Sequence, residues 1–164
     1  MPTSPRLDST LAELAADVGE AAERRGLLVA TAESLTSGLV AVHLGAAPQS
    51  AEWFTGGVVT YTADAKQRAL QVPPGPVVSA RAATAMADGA AHLLAADVAV
   101  STTGVGGPDE QEGQPVGTVF IAVRTPKGTT WSEHHFDGDA QEILEAVTAA
   151  ALDLAHQEID GLEE

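Results

Sequence analysis

Cysteine is absent from the 164 residues, which excludes a disulfide framework, a thiolate zinc site, an iron–sulfur cluster and a cysteine nucleophile. Cations are scarce. Lys and Arg total 8 against 23 Asp and Glu, a formal net charge of −15, and only Lys66 and Lys127 are lysines. Nucleic-acid affinity is built largely from Lys and Arg on phosphates, so no direct nucleic-acid partner is expected. A small phosphate stays open, because backbone N–H groups at a helix start can hold one without a basic surface. No stretch approaches the ~18 apolar residues of a spanning helix, and the opening MPTSPRLDST has no apolar signal-peptide core. The chain therefore reads as cytoplasmic, with no membrane partner. The five histidines at 43, 92, 134, 135 and 156 show no ligand spacing, and neighbours such as His134 and His135 on a strand point to opposite faces. Asp109, Glu110 and Glu112 read as a solvated acidic loop, so neither a metal nor a cofactor is expected.

What the chain has in excess is alanine, 31 residues of it, within a hydrophobic share of 45%. That composition suits helices packed closely on a sheet. The length fits one domain over residues 1–164, with an ordered core at about 8–157. Helical and strand patterns alternate along it. Residues 10–25 carry Leu11, Leu14, Ala15, Val18 and Ala22 at helical spacing, with Thr10 and Glu13 as a capping box and Gly26 as the stop. Strands are expected at 27–31, 58–61 and 97–102, and an antiparallel hairpin at 117–124 and 129–136 around Pro126-Lys127-Gly128. Further helices follow Gly38, Thr62 and Ser79, and the last runs over 139–157 from Asp139 and Glu142 with Ile143, Val147, Ala150 and Leu154 as its stripe. The acidic end after it is expected to fray. Helices interleaved with strands predict an α/β fold, a three-layer α/β/α sandwich on a mixed, mostly parallel sheet.

Three segments could carry chemistry. Glu33-Ser34-Leu35-Thr36-Ser37-Gly38 lies where a strand ends and a helix begins, a place where hydroxyls sit beside free N–H donors and open α/β sheets put their ligands. The plainer alternative is an N-cap cluster made of Ser34, Thr36 and Ser37. Tyr61 and Lys66 fall at a second strand-to-helix junction; a lysine acts as a base only if its surroundings depress its pKa, and otherwise it is a solvated helix residue. Thr102-Thr103-Gly104-Val105-Gly106-Gly107-Pro108 could bring backbone close to a ligand or could simply turn. It is neither a Walker loop nor a dinucleotide fingerprint.

Taken in order, Thr-Ala-Glu-Ser-x-Thr-x-Gly at 31–38, Trp53-Phe54, Gly57-Val58-Val59-Thr60-Tyr61 with Lys66, Val78-Ser79, Thr103-Gly104-Val105-Gly106-Gly107-Pro108 and Pro115-Val116-Gly117-Thr118-Val119 resemble the CinA C-terminal domain family. The likeness covers roughly residues 8–157. Its characterised enzymes are nicotinamide-nucleotide amidohydrolases, so the resemblance implies deamidation of nicotinamide mononucleotide to nicotinate mononucleotide and ammonia, in a homo-oligomer of α/β/α sandwiches. It also implies Ser34 as nucleophile, Lys66 as base and Tyr61 as their aid. Substrate contacts would come from Glu33, Leu35, Thr36, Ser37, Gly38, Thr103, Gly104, Gly106 and Gly107. The family's usual Glu-Ser-Cys-Thr-Gly-Gly is here Glu-Ser-Leu-Thr-Ser-Gly, and Gly106 replaces a common alanine. A chain that keeps the pocket for a pyridine nucleotide but has lost turnover, acting as a sensor or partner subunit, is the rival reading.

Overall fold

The computed structural model describes residues 5–162, with side chains from Thr10 onward. In chain order the elements are α1 (Pro5–Arg25), β1 (Val29–Glu33), α2 (Leu39–Ala46), α3 (Ser50–Trp53), β2 (Phe54–Val59), α4 (Ala63–Leu70), α5 (Ala80–Leu93), β3 (Val98–Gly104), β4 (Thr118–Thr125), β5 (Gly128–His135) and α6 (Ala140–Asp160). The five strands form one sheet in the order β2-β1-β3-β4-β5. β1 is parallel to both its neighbours, whereas β3-β4 and β4-β5 are antiparallel. The sheet is thus mixed as expected, but only half of its pairings are parallel, because the terminal hairpin adds two antiparallel ones.

Strand alternation explains the layers. Val29, Val98, Val100, Val119, Ile121 and Val123 turn one way and pack with Leu11, Ala15 and Val18 of α1, Val40 and Leu44 of α2, and Ile143, Val147 and Leu152 of α6. The intervening Ala30, Ala32 and Ala99 turn the other way, toward Leu70 of α4 and Ala82, Met86 and Ala90 of α5. Small residues on both sides of that second interface let α5 lie close to the sheet, which accounts for much of the alanine content. Close approach recurs elsewhere. A Cβ on Gly19 of α1 would stand 2.6 Å from the Trp53 ring, so that glycine is what admits the buried indole against the helix.

Several boundaries differ from the sequence reading. α1 already runs from Pro5, so Thr10 does not begin it. Trp53, expected in a loop, closes the short α3, and β2 follows at once. β1 and β3 reach Glu33 and Gly104, two residues beyond expectation. α6 starts on the anticipated capping box of Asp139 and Glu142 but buries Ile143, Val147, Ala151, Ala155 and Ile159, leaving Ala150 and Leu154 partly covered. It continues to Asp160, and the rest of the end expected to fray, Glu163 and Glu164, lies outside the described residues. No helix among the described residues is long and apolar enough to cross a membrane.

Candidate active site

At the carboxyl end of β1 the alternation of the strand splits two adjacent polar residues. Glu33 keeps the parity of Val29 and Thr31 and faces the α2 side, while Ser34 follows Ala30 and Ala32 toward the α4 side. The Glu33 carboxylate accepts hydrogen bonds from Val40 N (2.9 Å) and Ala41 N (3.0 Å). It therefore caps α2 from outside the usual position, which Gly38 occupies without a side-chain bond. None of Ser34, Thr36 and Ser37 caps this helix, contrary to the simpler reading of those hydroxyls. Thr36 Oγ1 instead pairs with Thr102 Oγ1 at 2.8 Å, tying the turn to β3. Ser37 is exposed in a left-handed conformation (φ 49°), and its hydroxyl donates to Ser34 O.

Thr62 caps α4 through Ala65 N, and one turn into that helix Lys66 points inward. Lys66 is only 1% exposed. Its Nζ lies 2.9 Å from Ser34 Oγ, 2.9 Å from Thr60 O and 3.2 Å from Tyr61 O. Burial lowers the Lys66 pKa below its ordinary value, and the negative charge of Glu112 partly opposes that. A neutral amine has two N–H groups and one lone pair. With both N–H groups on the two carbonyls, the lone pair is left for the serine hydroxyl. The pair is anchored to the sheet, because Thr60 N donates to Glu33 O and Ser34 N donates to Thr102 O.

Ser34, Leu35, Tyr61 and Lys66 line one recess together with Val77, Val78, Thr103, Gly104, Val105, Gly106, Gly107, Asp109 and Gln111. The structure thus brings most of the expected residues to one place, but several in other roles. Tyr61 meets Lys66 through its backbone carbonyl, and the side chain is 71% exposed at the mouth. Thr103 and Gly104 are the last residues of β3, not a loop. The Thr103 hydroxyl is committed to Val77 O at 2.6 Å, and a Cβ on Gly104 would stand 2.5 Å from Thr118 O. The glycine is needed for β4 to pass. Glu33, Thr36, Ser37 and Gly38 lie outside the recess and build the turn that presents Ser34. The Leu35 and Thr36 amides beside the serine make no hydrogen bond among the described residues.

Two features escaped the sequence reading. Val77 and Val78 form a wall of the recess, and Glu112, exposed on its loop as expected, also binds both of their amides at 2.7–3.0 Å. Neither is legible locally, since an acidic residue in a glycine-rich loop looks the same whether or not its partner exists. No group of three or more His, Asp or Glu among the described residues could hold a metal ion.

Comparison with known proteins adds a second line. A sequence profile described as the CinA C-terminal domain matches residues 11–159. Nicotinamide-nucleotide amidohydrolase PncC of Shigella flexneri is 40% identical over 159 residues, covering 92% of this chain and 96% of the relative. A CinA-like protein of Geobacter metallireducens is 39% identical over 153 residues, 90% of this chain but 35% of the relative. The chain spans about a third of the length of the first curated relatives it matches. Among solved structures, the competence-damaged protein (CinA) superfamily protein of Klebsiella pneumoniae 700603 superposes with a TM-score of 0.89 at 30% identity, covering 93% of this chain and 99% of the other. The corresponding protein of Escherichia coli gives a TM-score of 0.87 at 31% identity, covering 96% and 94%.

Proposed function

The chain belongs to the CinA C-terminal domain family, and from that premise we propose that it deamidates nicotinamide mononucleotide to nicotinate mononucleotide and ammonia, in pyridine-nucleotide salvage. The observation that carries the chemistry is the 2.9 Å contact between Ser34 Oγ and a buried Lys66 Nζ. A serine hydroxyl is a weak nucleophile until a base takes its proton, and a buried amine can be that base. PncC, named for this activity, extends over nearly the same length as this chain.

The Ser34 oxygen attacks the carboxamide carbon while its proton passes to the lone pair of neutral Lys66. The Leu35 and Thr36 amides receive the oxyanion, since the Ser34 amide is already engaged by Thr102 O. Collapse of the tetrahedral species breaks the C–N bond, and the Lys66 ammonium returns the proton so that ammonia departs. Water then attacks the acyl ester with Lys66 as base again, releasing the carboxylate and restoring Ser34. Tyr61 contributes its carbonyl to orient Lys66, and its phenol stands at the entrance. Gly106 and Gly107 offer open backbone to the nucleotide.

Purified protein incubated with nicotinamide mononucleotide should release ammonia and nicotinate mononucleotide in equal amounts. Ser34→Ala, Lys66→Met and the double variant should retain similar residual rates, each lower by orders of magnitude, because groups acting as a unit fail together. Lys66→Arg should not restore turnover, as a guanidinium keeps its proton. Substantial turnover in Lys66→Met with a dead Ser34→Ala would remove the lysine from the mechanism. Saturable binding of the nucleotide without product would make the chain a binding module instead.

A further inference from the structure

The segment 105–117 crosses the mouth of the recess as a closed loop. Its base is tied by Val105 N to Thr118 O and Gly117 N to Val105 O, and its tip by a reciprocal pair between Gln111 and Gln114. At that tip Glu112 and Gly113 both adopt left-handed backbone, with φ of 54° and 74°. A glutamate gains nothing locally from this conformation. What it gains is reach: Glu112 Oε1 accepts from Val77 N (3.0 Å) and Val78 N (2.7 Å), and Oε2 accepts from Val77 N (2.9 Å). Among the described residues, every hydrogen bond between this loop tip and the facing wall ends on Glu112. The wall is held from behind as well, by Thr103 Oγ1 on Val77 O, and it leads directly into Ser79, which caps α5.

We propose that Glu112 is a positioning residue that latches the 105–117 loop onto the Val77-Val78 wall and brings one negative charge to the wall of the recess that also holds Ser34 and Lys66. The proposal rests on the amidohydrolase reading for its catalytic consequence, but the latch itself does not. Asp109 and Gln111 of the same loop line the recess with Leu35, Val77 and Val78, so releasing the tip would open the site to water. The charge has a second effect. In the proposed mechanism Lys66 takes up the serine proton as the tetrahedral species forms, and a carboxylate on the same wall favours that protonated form. Other charged or titratable groups surround the same region. Asp109 of the same loop lines the recess itself, Tyr61 is exposed, Glu33 is spent on Val40 and Ala41, Asp64 pairs with Arg68 on the outer side of α4, and Arg81 of α5 holds Pro74 O.

The test uses the intact protein with Glu112→Gln and Glu112→Ala. With only two lysines in the chain, the side-chain NMR signals of Lys66 are assigned by comparison with Lys127→Arg. Glu112→Gln keeps the shape but loses the charge and one acceptor, so the Lys66 titration should move to lower pH than in the unaltered protein. The acid limb of kcat/KM should move with it, and the plateau kcat should fall about ten-fold or more as the ammonium loses that charge. Glu112→Ala should in addition raise hydrogen exchange at the Val77 and Val78 amides by about ten-fold or more, since their acceptor is gone. Unchanged exchange in Glu112→Ala would overturn the latch, and an unmoved Lys66 titration in Glu112→Gln would overturn the charge role. If the unaltered protein does not turn over nicotinamide mononucleotide, the amidohydrolase reading fails while exchange and titration still decide the latch.

Discussion

Lys66 is among the largest fully buried side chains of the described chain, yet it sits in the middle of a short helix that is otherwise exposed on its outer side. Burial disfavours its ammonium and the Glu112 charge restores only part of that, so the folded pKa is lowered from 10.5. The sign for activity follows: the base is the neutral amine, hence kcat/KM should rise with pH to a plateau reached below the pH an ordinary lysine would require. A profile of kcat/KM against pH for the unaltered enzyme checks this, and an acid limb at an unshifted lysine pKa would contradict it. Gly104 gives a contrasting case. A ligand-loop reading predicts that Gly104→Val weakens substrate binding alone. A Cβ at that position, however, would stand 2.5 Å from Thr118 O and 2.8 Å from Val119 Cα, which predicts a clash between β3 and β4. Gly104→Val should therefore cost stability of about 3 kcal/mol or more, read as a lower urea midpoint.

At the scale of elements, one carboxylate couples a strand to a helix. Glu33 ends β1 and binds the first free amides of α2, so the turn 34–38 between them is held at both ends. Glu33→Gln offers one acceptor oxygen where two are used and removes the charge from the helix start. It should lower unfolding stability by about 1–2 kcal/mol in a denaturant titration. Turnover should fall with it, because Ser34 is the next residue. α6 shows the opposite situation, in which the cap was readable from spacing. Asp139 and Glu142 bind reciprocally to each other's amides, as a Ser/Thr/Asp-x-x-Glu pattern ahead of an apolar stripe leads one to expect. The Glu33 cap is not of that kind, since six intervening residues separate it from Val40 and only the turn brings them together.

For the molecule as a whole, the formal charge of −15 sets expectations that no single contact could. Labelled duplex DNA titrated at moderate salt should show no saturation at micromolar protein, and submicromolar, salt-sensitive binding would refute this. Local chemistry in the sequence determined the alternation of elements, the caps at Thr62, Ser79 and Asp139, and the placing of Ser34 and Lys66 at two strand-to-helix junctions, because periodicity, capping and turn residues act over a few positions. The two alternating faces of β1 and β3 were written there too, as valine against alanine. The tertiary structure alone decided which strands are neighbours, that an amine 32 positions away meets the serine, that Thr103 serves the wall behind the recess, and that Glu112 faces Val77 and Val78. Those contacts join segments distant in the chain, and a polar residue carries no local sign of the partner that the packing of the sheet will bring to it.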